Sequence, residues 1–220
     1  MTEEMNKVTQ FWNGIAEDFD AIYTGRKGTL GRALDGFFRR DMFLRFDWVM
    51  RTAGDVKGQR ICDIGCGSGR FVAAFAKNNA AEVVGIDVAP EMLKIARQVV
   101  AAAGVDQRCR FHLMDVIDWK SDEKFDTTIA IGFWDYIADP LKRLGIIRGM
   151  TRGRFLSAWP RFGTWRMPIR KMRLAFQGCP VYFYRRSAVD DLLQRSGFRA
   201  KSWRTIGQLY CVEAVPIDRS

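Results

Sequence analysis

One histidine, His112, occurs in 220 residues, and the five cysteines (Cys62, Cys66, Cys109, Cys179, Cys211) include no C-x-x-C pair. Zinc-ligand spacing is therefore missing, and scattered cysteines in odd number fit reduced thiols in a cytoplasmic protein. No apolar run reaches the roughly 18 residues of a membrane span. The N-terminus, Met1-Thr2-Glu3-Glu4, is acidic, so a secretory signal is not expected either. Internal repeats, low-complexity tracts and clear linkers are absent, and residues 1–220 read as a single domain. Acidic residues are missing altogether between Asp139 and Asp190.

What is present is ample for a core: 48% of the residues are hydrophobic and 13% aromatic, which excludes a disordered chain. The net charge of +10 is unevenly spread, with 17 Lys+Arg against 4 Asp+Glu in residues 141–220 and 18 against 21 in residues 1–140. Such asymmetry points to an anionic partner near the C-terminal part of the fold.

Short apolar runs at 60–64, 82–86, 109–114, 125–132 and 153–158 alternate with helical patterns, among them Phe71/Phe75 and Met92, Ile95, Ala96, Val99. Pro90 suits a first helical turn. This alternation predicts a parallel sheet covered on both faces. Residues 1–55 read as helical, with Leu30, Leu34, Phe37, Phe38 and Leu44 forming a partly apolar face. Residues 160–186 are aromatic and basic. A helix at 186–196 and strands at 199–206 and 208–215, turning at Ile206-Gly207-Gln208, close the chain. If 165–176 is helical, Trp165, Ile169, Met172 and Phe176 share one face, and Pro168 predicts a start at that residue. That stripe reads as core beneath a basic face, as a lid over an anionic substrate, or as an interfacial helix on acidic lipids.

The most specific segment is Ile61-Cys62-Asp63-Ile64-Gly65-Cys66-Gly67-Ser68-Gly69-Arg70. A β-prone run ends at an acid, and alternate glycines then let the backbone turn tightly against a ligand before a helix begins. The dinucleotide fingerprint G-x-G-x-x-G/A fails in both frames, at Arg70 and at Val72. Asp63, two residues before the first glycine, would repel a pyrophosphate and favour a ligand bearing a positive amino group.

Asp63-x-Gly65-x-Gly67-x-Gly69 resembles the first motif of class I S-adenosylmethionine-dependent methyltransferases of the small-molecule type. Asp87 after Val83-Val84-Gly85-Ile86, Asp115 after His112-Leu113-Met114, and Phe125-Asp126-Thr127-Thr128-Ile129-Ala130-Ile131-Gly132 match the following motifs in order, over residues 60–135. The resemblance implies a Rossmann-like, doubly wound α/β sheet of seven mostly parallel strands with a C-terminal antiparallel hairpin. A helical cap (1–55) would lie over the cofactor cleft, followed by a binding core (60–160), a substrate-side insertion (160–186) and a final helix and strand pair (186–220).

The implied cofactor is S-adenosylmethionine, leaving as S-adenosylhomocysteine, with no metal. Its expected contacts are Asp63, Gly65, Cys66 (by backbone), Gly67, Gly69, Asp87 on the ribose hydroxyls, Val88, Met92, Asp115 and Val116 near adenine, and Gly132 and Phe133 near the sulfonium. Trp12 and Tyr23, in a segment resembling the aromatic opening of many such enzymes, could line the pocket or pack in the core.

Methyl transfer needs alignment and exclusion of water more than a base. Asp135 and Tyr23 are the candidate catalytic residues, while His112 reads as structural. Trp134, Trp159, Arg161, Arg170, Tyr182, Tyr184 and Arg185 are candidate substrate contacts. An Asn/Asp-Pro-Pro-Tyr motif, which the resemblance associates with adenine-N6 or glutamine methylation, is absent after the fourth strand, which leaves oxygen, carbon and amine nucleophiles open, with oxygen favoured. The expected acceptor is small or lipid-linked and anionic. RNA is the alternative, and a non-catalytic partner protein a third reading. Peripheral membrane contact and oligomeric state stay open.

Overall fold

Alternate residues of the central strands face opposite ways, and here both directions are apolar. In the computed structural model, Cys62, Val84, Ala130, Phe155 and Val212 join one buried cluster, while their neighbours Ile61, Val83, Ile129, Leu156 and Cys211 join another. A period of two with both faces apolar requires cover on both sides. The structure describes residues 3–24 and 29–217, with side chains described throughout these except at residue 4 and from 17 to 40.

Seven strands, β1 (Arg60–Ile64), β2 (Glu82–Asp87), β3 (Cys109–Leu113), β4 (Phe125–Ile131), β5 (Thr151–Pro160), β6 (Phe198–Ile206) and β7 (Leu209–Pro216), form one sheet in the order 3-2-1-4-5-7-6. The first five are mutually parallel, and β7 is antiparallel to both β5 and β6. This is the expected architecture. The β6–β7 turn falls at Gly207-Gln208, with Gly207 at φ +52°.

Among the described residues, seven α-helices surround the sheet: α1 (Glu3–Thr24), α2 (Thr29–Ala53), α3 (Arg70–Lys77), α4 (Pro90–Ala102), α5 (Pro140–Met150), α6 (Arg166–Phe176) and α7 (Arg186–Arg195). Side chains of α2, α3 and α4 complete one cluster, and those of α1, α5, α6 and α7 complete the other. Pro90 and Pro140 open their helices, where the missing N–H is not needed. Gly197, at φ +85°, ends α7 by donating its amide to the Gln194 carbonyl.

Two local expectations are corrected. Helix α6 starts at Arg166, two residues before Pro168; a proline in the first helical turn gives up an amide that has no intrahelical acceptor there. Leu44 is exposed rather than part of an apolar seam, while Leu30, Leu34, Phe37 and Phe38 have side chains outside the described residues.

Strand order reverses between β1 and β4, so the chain leaves their carboxyl ends in opposite directions and opens a crevice there. Helix α1 crosses this edge. Asn13 accepts a hydrogen bond from the Glu91 amide, Ala16 packs with Ala89 and Met92, and Trp12 meets Tyr136 edge-on at 5.5 Å.

Gly85 in β2 holds the loop after β1 close to the sheet. A Cβ there would sit 2.8 Å from Phe111 Cδ1 and 2.9 Å from Cys66 Sγ. Gly85→Ala is therefore expected to cost about 1–3 kcal/mol, read as a lowered urea midpoint.

Candidate active site

After Ile64 the backbone passes through Gly65, Gly67 and Gly69, all left-handed at φ +69°, +51° and +72°. The amides of Gly65 and Cys66 both donate to the Ile86 carbonyl, at 2.8 and 3.1 Å, tying the loop to the end of β2. A Cβ on Gly65 would lie 3.0 Å from Phe133 Cδ2, and one on Gly69 would lie 2.8 Å from the Ala96 methyl. At Gly67 nothing stands within 4 Å of the position a Cβ would take. Two glycines thus accommodate protein on one side, and the third leaves its own side open to a ligand.

Three carboxylates surround this loop in different states. Asp87 accepts the amide of Gly67 on Oδ2 (2.8 Å) and that of Ala89 on Oδ1 (2.9 Å). Each oxygen keeps one acceptor position, enough for a pair of hydroxyls. Asp115, buried, accepts the Ile117 amide and is gripped by Arg143, whose Nε reaches Oδ1 at 3.1 Å and whose Nη2 reaches Oδ2 at 2.5 Å. One acceptor position on Oδ2 remains. Asp63 is 1% exposed, and its Oδ2 has no hydrogen-bond partner. Burial, reinforced by the charge of Asp87, pushes its carboxyl up to about 8. A cationic amino group beside Asp63 would supply what this site lacks. Val88 is partly buried, while Met92 and Val116 are buried beside the acids.

At the other lip of the crevice, Gly132 follows β4 at φ +77°, and Phe133 packs over Gly65. Beyond them the structure differs from the sequence expectation. Trp134 and Trp159 are fully buried, stacked at 4.1 Å and 8°; they form a wall behind the site rather than substrate contacts, because a stacked indole pair buries a large apolar area in the core. Asp135 is buried and ion-paired with Arg170, which also donates to the Tyr136 hydroxyl at 3.4 Å. These two residues, expected as separate contacts to reactants, neutralise one another. Burial pushes the Tyr136 phenol up to about 12.

Tyr184 donates its hydroxyl to the Ile137 carbonyl at 2.9 Å and packs edge-on against Trp159, and the Tyr182 amide donates to the Asp135 carbonyl at 2.8 Å. Both tyrosines therefore fix the turn after β4. Arg185 is exposed over the Phe162 ring, at 5.2 Å. Arg161 stays at the crevice edge, over Tyr210 at 5.3 Å and donating to the Gly207 carbonyl at 3.3 Å, with its Nε buried and unpartnered. The side chain of Tyr23 lies outside the described residues. His112 packs edge-on against Trp119 at 5.5 Å, in β3 at the margin of the sheet.

Two arginines escaped the sequence reading. Arg143 lies in a helix whose apolar residues gave no hint of a buried cation. Arg45 of α2 brings Nη1 to 3.7 Å from the position a Cβ on Gly132 would take, and its Nε is buried without a partner. Only the packing of α2 across the sheet edge joins residues so distant in sequence.

The sequence profile of the family described as "Methyltransferase domain" matches residues 55–176, from just before β1 to the end of α6. The chain belongs to that family. By fold this methyltransferase-domain protein is class I, a family whose cofactor is S-adenosylmethionine. Its structure is similar to that of magnesium protoporphyrin IX methyltransferase from Synechocystis PCC 6803, solved with bound S-adenosylhomocysteine. The TM-score is 0.81 at 19% identity, over 95% of this chain and 98% of that one. In sequence it is 32% identical over 97 residues to the ubiquinone biosynthesis O-methyltransferase of Bordetella avium (strain 197N), a match covering 44% of this chain and 40% of the relative. The corresponding protein of Paracidovorax citrulli (strain AAC00-1) is 29% identical over 136 residues, 61% of this chain and 55% of the relative. The chain thus spans about a quarter to about half the length of the curated relatives it matches.

The residues of this methyltransferase-domain protein fit the family's cofactor. An ammonium group would suit the buried Asp63, whose Oδ2 has no partner among the described residues, a pair of hydroxyls would suit the acceptor positions of Asp87, and Gly67 is open where a Cβ would sit.

The raised Asp63 carboxyl makes the protein's stability depend on pH. Its folded value of about 8 exceeds the ordinary 3.8. The contribution of this group is therefore fully present below about pH 4 and is lost as pH rises through about 8. Asp63→Asn is expected to raise the stability of the ligand-free protein at pH 8 by roughly 1–3 kcal/mol while weakening S-adenosylhomocysteine binding at least about tenfold. Thermal melts and calorimetry check the two opposite effects. In the Asp135–Arg170 pair, where Asp135 is buried and Arg170 only partly so, Arg170→Met alone is expected to cost about 3 kcal/mol by leaving the buried carboxylate unpaired, and adding Asp135→Leu to recover most of it. Chemical denaturation of the single and double variants decides.

Proposed function

We infer that this chain transfers a methyl group from S-adenosylmethionine to an oxygen of a small or lipid-linked, anionic acceptor. The buried, unpartnered Asp63 beside the open face of Gly67 carries the cofactor half of this reading. Asp63 would hold the amino group of the methionine moiety, Asp87 the ribose hydroxyls, Asp115 and Val116 the adenine, and Gly132 and Phe133 the neighbourhood of the sulfonium. When bound, this cofactor supplies a methyl carbon already activated by a positive sulfur.

The acceptor half rests on charge. Arg45 stands beside Gly132, and Arg161 lies at the same sheet edge, each with a buried Nε that has no partner, and the nearby Gln208 Oε1 is likewise buried and unpartnered. Guanidinium groups with unused donors suit an anionic oxygen acceptor. The candidate bases near β4 are held out of use. Asp135 is committed to Arg170, and the Tyr136 phenol stays protonated at neutral pH. An acceptor oxygen that arrives ionised needs no proton removed: its lone pair forms the new C–O bond while the C–S electrons return to sulfur. Similarity to the ubiquinone biosynthesis O-methyltransferase supports oxygen as the acceptor atom.

Radiolabelled methyl transfer into cell extract, fractionated into lipid, small acid and RNA pools, tests this reading. Label is expected in the lipid or small-acid pool. Label in RNA would replace the acceptor assignment, and S-adenosylhomocysteine binding without any transfer would make the chain a non-catalytic partner. Arg45→Gln is expected to raise the acceptor KM about tenfold or more with cofactor affinity unchanged, measured by initial rates once the acceptor is in hand.

A further inference from the structure

The helix after β5 wears its apolar residues outward. Trp165 at its N-cap and Ile169, Met172 and Phe176 within it are 67%, 56%, 59% and 86% exposed, while Leu174 is the one buried residue of α6. At 100° per residue the four fall within about 60° of one another, and Leu174 lies about 180° from Trp165. The helix is fastened on the Leu174 side, where Arg170 pairs with Asp135 and Arg166 with Asp41. Exposure removes the core reading of this stripe. Phe162, 48% exposed, adds a further ring just upstream. Lys171 and Arg173 stand exposed within the helix, in a segment, residues 140–189, holding 12 Lys+Arg and no acid.

We propose that α6 docks this protein on a bilayer surface containing anionic lipids, lying in the headgroup plane with its stripe against the acyl boundary. Tryptophan, isoleucine, methionine and phenylalanine on one face, with cations beside them, answer both layers of such a surface: the acyl chains and the phosphates. An RNA partner would use the charge but leave the stripe in water. A second copy of the chain would bring one acid-free segment against another, which like charges oppose. Helix α6 begins six residues past the end of β5, at the sheet edge that carries the glycine loop and Gly132. Docking through it turns the mouth of the crevice toward the headgroups. The docking stands on the stripe and the cations beside it, and holds whichever acceptor is methylated.

Co-sedimentation of the intact protein with vesicles of phosphatidylcholine, with and without phosphatidylglycerol, tests the proposal. Binding is expected on the mixed vesicles and much less on the neutral ones. Ile169→Glu/Phe176→Glu and Lys171→Glu/Arg173→Glu are each expected to weaken it about tenfold or more. All four side chains are exposed, so the melting temperature and S-adenosylhomocysteine affinity should stay at wild-type values in both variants. Three results would overturn the proposal. One is vesicle binding that the apolar double variant leaves intact. Another is binding to single-stranded RNA with none to vesicles. The third is a dimer that the apolar variant splits while vesicles are ignored.

Discussion

The reversal of strand order between β1 and β4 is the constraint on which the functional edge depends. Because the chain turns away from the sheet in opposite directions after these two strands, their carboxyl ends have no crossover covering them. Asp63, one residue short of the end of β1, is thereby buried between β2 and β4 with an oxygen that has no hydrogen-bond partner among the described residues. Burial and the charge of Asp87 push that carboxyl up to about 8, which favours its protonated form at neutral pH. A cation placed beside it would favour the ionised form. Asp63 is thus a buried acid whose Oδ2 has no hydrogen-bond partner among the described residues.

Around Asp63 the chain separates groups that are available from groups that are spent. Asp87 uses half of its acceptor capacity on Gly67 and Ala89, which shapes the loop and still leaves positions for hydroxyls. Asp115 is locked to Arg143, which stiffens the turn after β3. Asp135 and Arg170 cancel each other and anchor α6 to the turn after β4. Arg45 and Arg161, which have no acid partner among the described residues and each keep an unused Nε donor, come from opposite halves of the sequence. Spent pairs hold the edge rigid, and unspent groups give it chemistry.

Much of this was legible before any coordinates. The five parallel strands were visible because apolar runs of strand length alternated with helical periodicity, and the closing hairpin because glycine sat between two β-prone runs. The cofactor loop was legible because only glycine accepts three left-handed positions in five residues. Illegible were the tryptophans Trp134 and Trp159, whose residue type suits a binding site and a core equally. The direction of the α6 stripe was also hidden, since periodicity shows that apolar residues share a face but not which way that face points.

The sequence by itself determined the order of elements, the sheet, the glycine loop and the acids that follow successive strands, because these depend on local backbone freedom and spacing. Tertiary structure alone decided which charges remain unpaired. Arg170 met Asp135 and Arg143 met Asp115, while Arg45 came to rest beside Gly132 with a donor unused. Whether an ionisable side chain is neutralised depends on partners tens of residues away, brought within a few ångströms only when helices pack across the sheet edge. Pairing, burial and the outward face of α6 are properties of that packing, and it is they that turn a recognisable loop into a site with a stated ligand charge.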